Sequence, residues 1–158
     1  MNAKNLQKAF YARWSPRYEL VAPNIYLDYL RGEMDILGIR PSGYVDEIEI
    51  KISVSDFRAD FRKTIKVVDE TGARYSKKLK HEALREGLTH CNYFSFLLPE
   101  ELIDKCEGEI PECYGIYTYK NGDVVEKRKA SLLHRNKISE KHKYNIGRKM
   151  AYRFWNSQ

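Results

Sequence analysis

A chain of 158 residues is long enough for one domain with a buried core, and 42% hydrophobic with 13% aromatic content argues against disorder. No apolar run approaches the roughly 18 residues that a membrane span needs. The net charge of +6 is unevenly spread, with 10 Lys/Arg against 6 acids in residues 51–90, 11 against 3 in residues 120–158, and 1 against 6 between them.

Clustered basic charge is the footprint of a polyanion partner. Cys91, Cys106 and Cys113 are odd in number and lack CxxC spacing, which argues against a disulfide framework and against a cysteine zinc site. They read as buried thiols in a reducing cytoplasm. The first residues, MNAKNLQKAFYARW, carry Lys4, Lys8 and Arg13 through the apolar positions, so they do not read as a signal sequence. A cytoplasmic protein, of a bacterial cell or a phage-infected host, is expected.

Ala3–Trp14 is predicted helical, with Leu6, Ala9, Phe10 and Arg13 on one stripe, and Pro16 stops it. Tyr18–Ala22 reads as a short strand, and Ile25–Leu30 is ambiguous. Glu33–Ile39 and Tyr44–Ile52 read as strands around Arg40-Pro41-Ser42-Gly43. Ser55–Lys66 follows as a helix, with Ser53 and Ser55 available as caps. Residues 67–75 are expected to be a loop, and 76–86 a very basic helix ended by Gly87.

Cys91–Leu98 is nearly all apolar and aromatic, the pattern of a strand buried on both faces. Pro99 precedes a short acidic helix, 100–106. Tyr114–Tyr119 and Val124–Lys129 bracket Asn121-Gly122, a strong hairpin signal. Ser139–Trp155 is a capped helix, with Tyr144, Met150, Ala151, Phe154 and Trp155 assigned to its buried side. The order implies a single α/β domain over 1–158, a mixed β-sheet flanked by helices, with a basic C-terminal helix.

The register of the first hairpin decides the chemistry. Pro41 suits position i+1 of a type I turn, and Gly43 suits the left-handed residue after it. The three-residue loop puts Arg40 opposite Tyr44, Ile39 opposite Val45, Leu37 opposite Glu47, Asp35 opposite Glu49 and Glu33 opposite Lys51. A two-residue loop would put Asp35 and Glu49 on opposite faces. In the three-residue register Met34, Ile36, Gly38, Ile48, Ile50 and Ile52 form an apolar face. The other face gathers Glu33, Asp35, Glu47, Glu49 and Lys51. Opposed Cβ atoms lie about 4.5–5.5 Å apart, so Asp35 and Glu49 repel unless a cation lies between them, and hard oxygen ligands suit Mg²⁺ or Mn²⁺.

Asp35, thirteen intervening residues and then Glu49-Ile50-Lys51 resembles the PD-(D/E)xK nuclease superfamily. The surrounding GEMDILGI, EIEIKIS, SDFRADFRK, KHEALREG, CNYFSFLLPEEL, YGIYTYKNG and RKASLLHRNK are similar to small phage and bacterial members, close to the MmcB-like DNA-repair group. The resemblance spans roughly residues 3–137. It implies a restriction-endonuclease-like core and a Mg²⁺- or Mn²⁺-dependent nuclease acting on DNA, with roles in repair, recombination or phage DNA processing. Asp35, Glu49 and the Ile50 carbonyl would bind the metal, and Lys51 would position or deprotonate the attacking water. Met34 stands where the motif name has Pro, and the first helix carries no acid where many relatives have a Glu. Glu47 or Glu19 would then be the auxiliary acid.

Lys77, Lys78, Lys80, Arg58 and Arg62 are the candidate nucleic-acid contacts, with Lys80 favoured near the site and a solvated face as the plain alternative for the basic helix. Glu33 is read as a partner for Lys51. His81, His90, His134 and His142 lack ligand spacing and read as surface or core residues. The competing function is a catalytically silent nucleic-acid-binding or protein-interaction module on the same fold. Oligomeric state stays open, a homodimer included.

Overall fold

The computed structural model describes residues 1–27 and 32–158. A six-stranded mixed sheet runs in the order β1-β2-β3-β6-β7-β8. Its strands are β1 (Leu20–Leu27), β2 (Gly32–Ile39), β3 (Val45–Ile50), β6 (Tyr93–Pro99), β7 (Gly115–Lys120) and β8 (Asp123–Arg128). The central pairs β3/β6 and β6/β7 are parallel and the outer pairs antiparallel. A separate hairpin, β4 (Thr64–Val68) with β5 (Tyr75–Leu79), projects between α2 (Val54–Asp60) and α3 (Lys80–Arg85). The other helices are α1 (Ala3–Trp14), α4 (Glu100–Cys106) and α5 (Glu140–Asn156). Among the described residues no helix is long and apolar enough to cross a membrane.

The β2–β3 turn has the expected three-residue geometry. Arg40 N–H donates to the Tyr44 carbonyl at 2.9 Å, and Gly43 has φ +92°. Ile39, Leu37 and Ile36 pair with Val45, Glu47 and Ile48. Side-chain alternation then sorts the sheet. One face carries Ile36, Ile48, Ile50, Leu97 and Tyr117 onto Leu6 and Phe10 of α1. The other carries Phe94, Phe96, Leu98 and Ile116 onto Phe57, Leu84, Leu102 and Ile103 of α2, α3 and α4.

Several expectations change. The charged face is not wholly charged, because Leu37, Ile39 and Val45 share it and are buried beneath Ile146 of α5. Ile52 is exposed, while Asp46 sits on the apolar face, held by Tyr18 Oη at 2.7 Å and by two bonds from Arg40 at 2.9 Å. β1 runs to Leu27, longer than expected, and residues 28–30 of the ambiguous stretch lie outside the described residues. α2 stops at Asp60, because the β-branched run Thr64-Ile65-Lys66-Val67-Val68 prefers a strand. The Asp69–Gly72 turn, with Gly72 N–H donating to the Asp69 carbonyl, folds β5 back on it. Residues 76–79 are therefore strand, and only Lys80–Arg85 is helical.

Candidate active site

Pairing between β2 and β3 ends at Ile36–Ile48. Beyond that point the Asp35 carboxylate takes over the ladder's work: its Oδ2 accepts the Ile50 N–H at 2.8 Å. Glu47 and Glu49 on β3 and Lys51 just past its end are each about 3% exposed. An acid buried this deeply must meet cations or hydrogen-bond donors.

The cations are lysines from three places in the chain. Lys51 Nζ lies 3.0 Å from Glu49 Oε1 and 2.9 Å from Asp60 Oδ1. Lys63 Nζ lies 3.0 Å from the same Glu49 oxygen and 2.8 Å from the same Asp60 oxygen. Lys80 Nζ lies 2.9 Å from Glu47 Oε1 and 3.5 Å from Glu49 Oε2. With Asp35 beside them, Glu47, Glu49 and Asp60 set four inward carboxylates against three ammonium groups, and half-exposed Asp56 approaches Lys51 from the rim at 3.8 Å. The repulsion expected between Asp35 and Glu49 is answered on the Glu49 side only, because among the described residues Asp35 has no cation within 4.0 Å.

Asp60 is the hub that spacing along β3 could not reveal. Its Oδ1 meets Lys51 and Lys63 and its Oδ2 meets His81 Nε2 at 2.6 Å, with the residue fully buried at the end of α2. His81 Nδ1 lies 2.8 Å from the Tyr114 hydroxyl, and the ring stacks on Phe61 at 4.4 Å. Burial pushes the His81 pKa down, against the pull of Asp60, so the ring is neutral. That fits Nε2–H donating to Asp60 and Nδ1 accepting from Tyr114.

Burial also opposes ionisation of Asp60, but the His81 hydrogen bond and Lys80, Lys63 and Lys51 outweigh it and hold the carboxyl well below its usual range. Glu47 is raised by burial and by Glu49, against Lys80. Lys63 and Lys80 resist deprotonation: burial lowers them, but the surrounding carboxylates raise them more. Asp35 is raised to about 6, first by burial and then by the Glu49 charge, with the Ile50 N–H, Lys51 and Lys63 opposing.

The structure brings Asp35, Glu49, Lys51 and Glu47 together and adds Lys80, Lys63, Asp60 and His81. A groove of about 350 Å³ opens beside them, lined by Gly32, Glu33, Met34, Glu47, Lys63 and Lys80. Glu33 is exposed and does not partner Lys51, whose ammonium is turned to Glu49 and Asp60. Glu19 is not part of the site. It stands opposite Ile39, about 13 Å along the strand from Asp35, and pairs with Lys143. Arg58 is tied to Glu109 at 3.1 Å on the surface, so it is not an open phosphate contact, whereas Arg62 is exposed.

Lys77 and Lys78 lie on β5, where alternation sends them to opposite faces, and Lys78 pairs with Glu86 at 2.5 Å. Lys80 is turned inward to Glu47 rather than outward to a ligand. Among the described residues no group of three or more His, Cys, Asp or Glu side chains is arranged to hold a metal ion. The expected ligand set has only two such side chains, Asp35 and Glu49, with the Ile50 carbonyl.

No protein-family profile matches the chain, and no curated protein matches it. Its fold is similar to that of a solved structure, the SPO1766 protein of unknown function from Silicibacter pomeroyi, with a TM-score of 0.64 over 99% of this chain and 88% of that one. At 15% identity the likeness shows a shared fold, a mixed six-stranded sheet flanked by helices.

Proposed function

We propose that the chain is a divalent-metal-dependent deoxyribonuclease that hydrolyses phosphodiester bonds, with Asp35, Glu49 and Lys51 as its working residues. One observation carries this reading. Asp35 sits beside Glu49 without a cation of its own, and its proton affinity is raised to a pKa of about 6. Such like-charge crowding at a rim is what an absent cation would relieve.

The donor set fits Mg²⁺ or Mn²⁺: two carboxylates and the Ile50 carbonyl are hard oxygen ligands. Room for it on Glu49 would come from displacing Lys63, the most exposed of the three lysines at 50%, from its pair with Glu49, while Lys51 and Lys80 are buried. When bound, the metal would polarise the phosphate and acidify its water. Lys51 Nζ, fixed between Glu49 and Asp60, would donate to the attacking water or a phosphate oxygen with its direction already set. Ionised Asp60, itself oriented by the His81 ring, holds that ammonium in position. Lys63, Arg62 and the basic strands β4 and β5 would draw in the DNA backbone.

A second reading, a silent nucleic-acid-binding or interaction module, draws on the same cluster. Three lysines against four acids nearly neutralise it, as a purely structural ion network would. The deciding experiment is a Mn²⁺-dependent cleavage assay on single-stranded, duplex, flap and junction DNA, run beside Lys51→Ala. Metal-dependent cutting that disappears in Lys51→Ala, with DNA binding retained, supports the nuclease. DNA binding without cutting by the parent under any of these conditions overturns it in favour of the module.

A further inference from the structure

α5 was expected to bury its aromatic residues, and it does the opposite. Only Ile146 is buried, with Met150 packed partly against the core cluster that holds Ala22, Ile25, Met34 and Leu37. Lys149 donates to the Tyr26 carbonyl and Arg153 to the Pro23 carbonyl, clamping the same side onto β1. The far side holds Tyr144 at 68%, Tyr152 at 55% and Trp155 at 71% exposure. At about 100° per residue, Tyr144, Arg148 and Trp155 point within roughly 20° of the direction opposite Ile146.

Cations are threaded through these rings. The Arg148 guanidinium lies 5.3 Å from the Tyr152 ring centroid and donates to its hydroxyl at 3.3 Å. Lys141 continues the stripe one turn before Tyr144. The helix as a whole holds five Lys/Arg against one Glu. With Phe154 on the flank, 58% exposed and edge-on to Trp155 at 5.4 Å, four large rings of one helix stand in water, and with cations between them they suit a partner that offers flat faces and negative charge.

The helix that carries the stripe meets the neighbourhood of the acid–lysine groove through its protein-facing side, at two points. At one end, His142 meets His90 with ring centroids 6.0 Å apart, next to the groove residue Thr89. At the other, Lys149 grips Tyr26, which pairs with the groove residue Glu33.

We propose that the outward face of α5, from Lys141 through Tyr144, Arg148, Tyr152 and Trp155, binds single-stranded nucleic acid. Its bases stack on the rings and its phosphates meet the interleaved cations. The inference rests on the nuclease reading for the identity of the polymer as DNA, and it names the class of strand that reaches the groove. Duplex DNA does not satisfy the rings, because its base faces are already stacked inside the helix. A lipid surface fits less well: a membrane-binding helix segregates an apolar face from a charged one. Here the aliphatic side, Ile146 and Met150, is spent on the protein, and Arg148 stands in the middle of the aromatic side.

The test is a metal-free titration in EDTA, so that cutting plays no part. Fluorescein-labelled oligothymidylate of about 20 nucleotides and a duplex of equal length are added to the whole chain, to Tyr152→Ala/Trp155→Ala and to Trp155→Phe. Anisotropy and the quenching of Trp155 emission are read in a Trp14→Phe background, where Trp155 is the only indole. Single strand should bind at least about tenfold tighter than duplex and quench Trp155. The double variant should lose on the order of tenfold or more, with an unchanged melting temperature, and Trp155→Phe should lose little.

Equal affinity of the double variant and the parent, or of duplex and single strand, overturns the proposal. So does binding of phosphatidylserine vesicles, or self-association, that requires these rings when oligothymidylate does not bind. Tight single-strand binding with no cleavage in any metal would leave this surface standing and remove the nuclease. Cleavage by the double variant with unchanged KM on single strands would do the reverse.

Discussion

In Asp35→Asn the side chain keeps its shape and an acceptor for the Ile50 N–H, but it can no longer carry charge. In the parent its pKa rises from an ordinary 3.8 to about 6 through burial and the Glu49 charge. At about 1.36 kcal/mol per tenfold change in proton affinity, ionising Asp35 in the folded protein costs roughly 3 kcal/mol at most. Its partial exposure discounts that to about 1–2 kcal/mol. The sign follows from which state keeps the proton. Between pH 3.8 and about 6 the unfolded chain has lost this proton and the folded one retains it, so stability falls as pH rises through that window and the full penalty stands above it. Urea unfolding at pH 4 and pH 8 should show the Asn variant matching the parent at the low value and exceeding it by about 1–2 kcal/mol at the high one. Mg²⁺ or Mn²⁺ at a hundredfold over its Kd should stabilise the parent by about 2.7 kcal/mol at pH 8 and the variant far less. An Asn variant no more stable than the parent at pH 8 would refute the electrostatic reasoning, and equal responses to metal would remove Asp35 from the ligand set.

Three further outcomes bear on how the site and core are held. Asp60→Asn leaves Lys51 and Lys63 short of a counter-charge and should cost about 3–5 kcal/mol by calorimetry, the penalty for breaking a buried pair. Gly38→Ala puts a Cβ 2.5 Å from the Tyr18 ring, whose hydroxyl holds Asp46, and should cost about 1–3 kcal/mol by denaturant unfolding, with partial recovery in Tyr18→Leu. Phe57→Ala empties a fully buried position against Phe61 and Phe96 and should cost about 3–5 kcal/mol in the same assay.

The β2–β3 register was legible because Pro41 and Gly43 leave one turn geometry, and a one-residue slip would invert both faces. The helix over 3–14, the apolar strand β6 and the Asn121-Gly122 hairpin were legible for similar local reasons. The β4–β5 hairpin was not. Of its ten strand residues only Val67 is buried, so no apolar period marks it, and its lysines read as a helix surface. Asp60 and His81 were hidden differently. Each needs a partner from another element, yet each left a signal: Asp60 is three residues after buried Phe57, and His81 three before buried Leu84, so both sit on an apolar stripe where a polar group must find a bond. For α5 the pattern held too many apolar candidates, and only the position of β1 decides that Ile146 and Met150 face inward. Asp46 escaped because its partners, Tyr18 and Arg40, lie across a strand and a turn.

The feet of the β4–β5 hairpin are Lys63 and Lys80, joined by a hydrogen bond from Lys80 N–H to the Lys63 carbonyl at 2.9 Å. A protein engineer looking for somewhere to cut, tag or graft would choose this arm first, since it is exposed and contributes little to the core. Its tip, residues 69–74, suits that purpose: an insertion there lengthens the arm and leaves both feet where they are. Excising the arm is another matter. Trimming back to the ends of α2 and α3 takes away Lys63, one of the three ammonium groups that face the buried acids, together with the carbonyl that seats Lys80, so a deletion designed as cosmetic would leave Glu49 and Asp60 short of a counter-ion in the protein's interior.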